Sequence, residues 1–82
     1  MKHSSETTRH DHRPAAEICR AHGWGEGTRL VGRDAVGTTV IEITALGPRV
    51  MLARTVSQDH RPAAYGQDRS WRLSDRDWRE VA

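Results

Sequence analysis

The side chains with the clearest potential for chemistry are His10, His12, Cys19 and His22, all of which are zinc-compatible ligand types. They form an H-x-H pair and a C-x-x-H pair, and Cys19 with His22 also resembles a nucleophile beside its base. The first pair precedes a predicted helix, whereas the second belongs to the apolar stripe of that helix. Structural zinc sites usually hold their ligands on two knuckles or a hairpin, and a buried thiol is a poor nucleophile. We therefore expect neither a metal site nor a catalytic cysteine. Measuring bound zinc before and after truncation of the N-terminus tests the alternative, which is a zinc site.

The glycine-rich stretch GWGEG, residues 23–27, is the other candidate for chemistry. A phosphate-binding glycine loop leads from a strand into a helix, whereas this stretch precedes a predicted strand. The sequence also has no pair of carboxylates on a plausible cleft for acid–base catalysis. It therefore predicts a protein that is not an enzyme and that holds no cofactor.

Twelve of the thirteen basic residues are arginines, and a codon bias toward arginine accounts for most of this excess. Six arginines fall on or beside predicted strands: Arg29, Arg33, Arg49, Arg54, Arg72 and Arg79. Facing outward together, they would form a basic surface for a phosphate backbone. The net charge is only +2, and acids such as Glu42 and Asp77 are available to pair with these arginines. Nucleic-acid binding is therefore the alternative function, and protein binding is the preferred one.

A stretch without periodicity, SQDHRPAAYGQDRS, separates the third and fourth predicted strands. Long connections of this kind are more often functional or disordered than neutral. Its His60, Arg61 and Tyr65, with Arg72 nearby, are the predicted partner-binding residues, since Arg and Tyr are typical interface anchors. A tolerated surface insertion explains the loop equally well.

The hexapeptide DHRPAA inside this stretch occurs twice, at residues 11–16 and 59–64. The first copy is predicted to start a helix and the second to lie in the loop. Because the flanking apolar patterns do not align, the copies are not a repeated folding unit. Arg/Ala-rich composition, a local duplication, or two contacts with one partner remain as explanations.

The elements that carry these residues begin after a polar leader. Residues 1–12 lack apolar periodicity and are predicted to be disordered, and residues 13–82 form one domain. Pro14 fits the first turn of a short helix. Gly23 suits the left-handed position that ends it, which would fold Trp24 back against Cys19.

From residue 25 onward, β-rich runs alternate with glycine-containing turns. The predicted strands are residues 28–33, 38–46, 49–56, 70–73 and 78–81, with a one-turn helix at 74–77. This order predicts a mainly β fold, a small five-stranded SH3-like barrel flanked by the N-terminal helix. We expect Trp71 and Trp78 in the core and Trp24 to be partly exposed.

Composition indicates the cellular compartment in which the protein is expected. A single cysteine excludes an intrachain disulfide and favours a reducing compartment. No apolar run reaches membrane-spanning length and the N-terminus lacks the apolar segment of a signal peptide. The expectation is a soluble protein of the bacterial cytoplasm without a membrane partner.

The pattern of residues 23–81 resembles small phage- and prophage-encoded domains of unknown function. Its most specific parts are the run Trp71-Arg72-Leu73 and the run Arg76-Asp77-Trp78-Arg79. The resemblance implies a phage-derived accessory protein and brings no catalytic residue with it. We therefore expect a module that binds a protein complex of the host or phage, for example as an inhibitor of a host defence system such as CRISPR interference.

Overall fold

The computed structural model describes residues 7–63 and 66–81, and these contain one helix, α1 (Ala15–His22). Gly23 has a φ of +76°, and the N–H groups of Gly23 and Trp24 donate to the carbonyls of Arg20 and Cys19 at 3.2 and 2.8 Å. This is the predicted Schellman ending. It places the Trp24 ring on His22, with 4.3 Å between the ring centroids. Trp24 is consequently buried, whereas partial exposure was expected.

Six strands form a single antiparallel sheet. They are β1 (Arg29–Arg33), β2 (Thr38–Leu46), β3 (Met51–Gln58), β4 (Arg61–Pro62), β5 (Arg69–Ser70) and β6 (Asp77–Glu80). The order across the sheet is β4-β3-β2-β1-β6, and β5 pairs with β3. The mainly β class is confirmed, and the first three strands lie within two residues of their predicted bounds.

Two features of the predicted barrel are wrong. The sheet has six strands instead of five, and no closure of the sheet into a barrel is found among the described residues. The stretch predicted as a loop pairs with both ends of β3, through Gln58 with Arg61 and Leu52 with Ser70. The fourth predicted strand ends at Ser70: the Trp71 backbone N–H donates to the carbonyl of Met51, and β3 begins at Met51, so that it offers no partner to the residues that follow. The helix predicted at 74–77 is not found; residues 74 and 75 form a turn, and Asp77 already belongs to β6.

The outer edge of β6 is occupied by the N-terminal segment, defined here as residues 7–12. The Thr8 hydroxyl donates to the Arg76 carbonyl at 2.6 Å and accepts the Trp78 N–H at 2.8 Å. Thr8 is fully buried, and the His10 N–H donates to the Ser74 carbonyl at 3.0 Å. These hydrogen bonds hold residues 7–12 against the sheet; residues 1–6 lie outside the described residues, and the bounds of the predicted disordered leader stay a prediction. The Thr8 side chain bonds two backbone groups at this edge, and no strand of the described residues pairs with β6 on this side.

The core lies between α1 and the inner face of the sheet. Trp78 covers Gly32, and a Cβ atom at Gly32 would lie 2.7 Å from the Trp78 ring. Glycine is needed here because the ring occupies the space of a side chain. Packed around these residues are Ile18, Cys19, Trp24, Leu30, Ile41, Ile43, Met51, Ala53 and Leu73. No helix of the described residues has the length and apolar character to cross a membrane.

Candidate binding surfaces

The predicted partner loop begins at the tip of the β3–β4 hairpin. Asp59 and His60 form its two-residue turn, with positive φ values of 53° and 68°, as hairpins of this length require. The Asp59 carboxylate accepts the Thr38 N–H at 2.9 Å, which fastens this tip to the start of β2. His60 is exposed in this turn. Tyr65 lies outside the described residues.

The structure does not bring the remaining predicted partner residues together. Arg61 pairs with Gln58, the last residue of β3. Arg72 instead follows Trp71, whose backbone N–H donates to the carbonyl of Met51, the first residue of β3. At about 3.3 Å per residue, these ends of β3 lie about 23 Å apart. Arg61 and Arg72 therefore belong to different surfaces.

Trp71 is the aromatic residue around which the first candidate surface is organised. Its indole N–H donates to the Ala53 carbonyl at 3.0 Å, and its ring meets Trp78 edge-on at a centroid distance of 5.8 Å. The Arg69 guanidinium lies 4.1 Å from the ring centroid. Trp71 packs against the core, where the sequence predicted it, but its side chain remains partly exposed. The ring is thus held in one orientation with part of its surface open to a ligand.

Two adjoining shallow clefts meet at this ring and share Ala15, Trp71 and Arg72. One extends along the N-terminal segment and the start of α1, and the other extends over Arg49 and Val50. We name the two clefts together the Trp71 surface. Val50 is 52% exposed and adds apolar area beside the ring.

The Trp71 surface is positively charged. Arg49 and Arg72 have no carboxylate partner among residues 7–63 and 66–81, and the Arg69 guanidinium is engaged with the ring. Asp75, on the rim, is bound to Arg76 at 3.2 Å. Two arginines of the nucleic-acid prediction therefore flank an indole ring on this surface.

The other four predicted arginines share the outer face of the sheet. Arg29 lies opposite Glu42 on β2, and Glu42 lies opposite Arg54 on β3. The Glu42 carboxylate binds both guanidinium groups at 3.2 Å. Alternation along β1 and pairing with β6 add Arg33 and Arg79 to the same face. Four of the six arginines thus share one outward face of the sheet, and Glu42 offsets part of their charge.

Arg33 and Arg79 border a cleft of about 450 Å³ at one end of this face, together with Val31, Asp77 and Arg9 of the N-terminal segment. Burial acts to raise the pKa of Asp77, but hydrogen bonds from Thr7 and Arg79 outweigh it, and the pKa lies below its usual value of 3.8. Asp77 is therefore anionic at neutral pH. We refer to this cleft, defined by these five lining residues, as the arginine cleft.

The residues considered for zinc binding serve other roles. Cys19 is fully buried in the core, and burial raises the pKa of its thiol to about 11. His22 stacks on Trp24, while His10 and His12 are exposed in the N-terminal segment. Within residues 7–63 and 66–81, no three His, Cys, Asp or Glu side chains are grouped as metal ligands.

Sequence reasoning missed two contributors to these surfaces. Arg9 was assigned to the disordered leader, and no periodicity marks the segment that carries it. Trp71 was assigned to the core because it alternates with outward polar residues. No sequence signal separates it from Trp78, which also has arginines on both sides and is nevertheless buried.

Comparison with characterised proteins and with solved structures gives no match. The sequence pattern of one family, described as a domain of unknown function (DUF7241), matches residues 13–82. The match includes α1, all six strands and the Trp71 surface from Arg13 onward, and it leaves Thr8 and Arg9 outside. The chain therefore belongs to the DUF7241 family.

Proposed function

We propose that this domain is a non-enzymatic binding module and that the Trp71 surface holds a protein partner. The observation that carries the proposal is a partly exposed tryptophan, fixed by its hydrogen bond to Ala53, beside Arg49 and Arg72, which have no carboxylate partner among residues 7–63 and 66–81. Tryptophan and arginine are the residue types most enriched among interface residues that dominate binding energy. A ring already held in its bound orientation also loses little freedom on binding.

The chemistry of this surface favours an acidic partner segment. Arg49 and Arg72 suit two carboxylates, because a guanidinium offers a planar pair of N–H donors to each. Val50 and the exposed part of Trp71 line the same cleft as these two arginines and suit an apolar side chain of the same segment. The proposed ligand is therefore a protein segment that carries carboxylates close to an apolar residue.

Capture from a lysate of the organism that encodes the chain, after nuclease treatment, tests this proposal. We compare the wild type with the double variant Arg49→Glu/Arg72→Glu and with Arg61→Glu, an exposed arginine at the far end of β3. A partner retained by the wild type and the control, and lost from the double variant, supports the proposal. Loss from all three proteins, or retention by all three, contradicts it. Melting temperatures of the variants establish that each one is folded.

One concrete form of this function is inhibition of a host defence complex, such as CRISPR interference, by a protein of phage or prophage origin. Its support is the small size of the domain and the resemblance of its sequence to phage-encoded domains. A module of this kind works in the bacterial cytoplasm by covering a surface of its target. Addition of the purified domain to a reconstituted interference complex tests this form directly.

Nucleic-acid binding is the second candidate, and a separate observation favours it. Arg29, Arg33, Arg54 and Arg79 share one face of the sheet, as a phosphate-binding surface requires. Phosphate contacts release counterions, so binding through this face weakens steeply as salt rises. Binding through the Trp71 surface depends less on salt because part of it is apolar. A salt titration of any captured complex therefore separates the two candidates.

A further inference from the structure

The arginine cleft has a positive charge that the domain does not neutralise. Three guanidinium groups and one carboxylate line it. The carboxylate of Asp77 is already bound to Arg79 at 3.0 Å and to the Thr7 hydroxyl at 2.8 Å. Arg9 and Arg33 have no acidic partner among residues 7–63 and 66–81. The cleft therefore has two positive charges in excess, and both are available to an anion.

The N-terminal segment is held so that Arg9 completes the cleft. Thr8 is buried against the edge of β6 on one side of Arg9, and His10 is bonded to Ser74 on the other. The Arg9 N–H itself donates to the Thr7 hydroxyl oxygen at 3.1 Å. With its backbone fastened on both sides, Arg9 lines the same cleft as Arg33, Arg79 and the apolar Val31.

We propose that the arginine cleft binds the phosphate monoester at the end of a nucleic-acid strand. A phosphate monoester carries a charge of about −1.5 to −2 at neutral pH, which matches the excess charge of the cleft. An internal phosphodiester carries about one negative charge and would leave one arginine without an anionic partner. Guanidinium groups also match the oxygens of a phosphate in geometry. The charge and the donor type thus select a terminal phosphate over an internal one.

The position of the cleft favours a strand over a small phosphorylated molecule. Arg29 and Arg54 continue the same face, and Glu42 offsets only one of their two charges. A nucleic-acid strand whose end occupies the cleft has further phosphates that can contact these arginines. Arg29, the nearer one along β1, lies about 13 Å from Arg33. This inference rests on the nucleic-acid candidate for its ligand and is independent of the Trp71 surface.

Fluorescence anisotropy with the whole chain tests the inference. The probes are one single-stranded oligonucleotide with a phosphate at its 5′ end, with a phosphate at its 3′ end, and with neither, and inorganic phosphate serves as competitor. We expect a phosphorylated end to increase affinity at least about tenfold, since one hydrogen-bonded charge contact contributes about that factor. We expect Arg33→Gln and Arg9→Gln each to remove this preference. The control Arg72→Gln, on the Trp71 surface, leaves the preference unchanged.

Four results would overturn the inference. Equal affinity for the phosphorylated and unphosphorylated strands excludes recognition of the terminal phosphate. A preference that persists in Arg33→Gln places the phosphate elsewhere. Competition by inorganic phosphate without any preference among the strands identifies a site for free phosphate. Tighter binding of a phosphoserine peptide than of the phosphorylated strand identifies a protein ligand. Loss of protein capture in Arg49→Glu/Arg72→Glu has no bearing on these outcomes, so the two proposals fail separately.

Discussion

Replacing Thr8 with valine isolates the contribution of one hydroxyl that joins the N-terminal segment to β6. Valine keeps the shape of threonine and fills the same buried space, but it neither donates nor accepts a hydrogen bond. The substitution leaves the Trp78 N–H and the Arg76 carbonyl without the partners they have at 2.8 and 2.6 Å. The Trp78 N–H lies in a buried environment, where water does not replace the lost partner.

The magnitude follows from the cost of unpaired polar groups. A buried donor or acceptor without a partner costs about 1–3 kcal/mol, and the Arg76 carbonyl is only partly buried. We therefore expect Thr8→Val to lower the free energy of unfolding by about 2–4 kcal/mol. A domain of this size has a total stability of about 4–12 kcal/mol. The corresponding decrease in melting temperature is about 10–25 °C.

Thermal unfolding followed by circular dichroism measures the effect, with two matched controls. Thr8→Ser keeps the hydroxyl and loses a buried methyl, for which we expect about 1 kcal/mol. Thr7→Val removes two exposed hydrogen bonds, one to Asp77 and one from the Arg9 N–H, and should change stability by less than about 0.5 kcal/mol. A Thr8→Val protein that melts within about 2 °C of the wild type would refute the reasoning. The N-terminal segment would then contribute nothing to the fold in solution, and Arg9 would not be positioned in the arginine cleft.

Three further predictions concern the core and the charged groups. Gly32→Ala places a methyl group 2.7 Å from the Trp78 ring, so we expect a loss of about 1–3 kcal/mol in chemical denaturation; Gly25→Ala, where no atom lies within 4 Å, is the control and should change stability much less. The pKa of Asp77 is lower in the folded chain than its usual 3.8, so folding favours the ionised form, and this stabilisation is present above about pH 4 and lost as the pH falls through the folded pKa. The stability difference between wild type and Asp77→Asn should therefore shrink toward low pH, and a constant difference from about pH 6 to about pH 2.5 would contradict this. Finally, the buried Cys19 thiol, with its pKa raised to about 11, should react with a maleimide at neutral pH only after denaturant is added, and mass spectrometry of the native protein checks this.

The two copies of DHRPAA show which conformation could be predicted from sequence and which could not. In the first copy Pro14 precedes α1 and the two alanines belong to the helix, as the local pattern predicts. In the second copy Asp59 and His60 adopt positive φ values in a hairpin turn, and Arg61 and Pro62 pair with β3. The two copies therefore differ in conformation over their described residues, 11–16 and 59–63. The neighbouring strand decides the second one, because the backbone groups of Arg61 and Pro62 pair with those of Gln58 and Ser57.

The sequence by itself determined the elements whose signals are local. The αL glycine after α1, the alternation along β1 to β3 and the turns between them depend on residues close in the chain, and each was predicted within two residues of its observed bounds. The mainly β class follows from the same patterns.

Only the tertiary structure decided which distant residues meet. Pairing of β5 with β3, burial of Thr8 against β6 and exposure of Trp71 all involve residues far apart in the chain, and periodicity carries no information about them. The six predicted arginines illustrate this, because the sequence placed them on or beside strands, whereas the tertiary structure places four on one face and two on the Trp71 surface. Hydrogen bonding between strand edges is common to every sequence, so the choice of partner depends on the whole set of side chains that pack beneath the sheet.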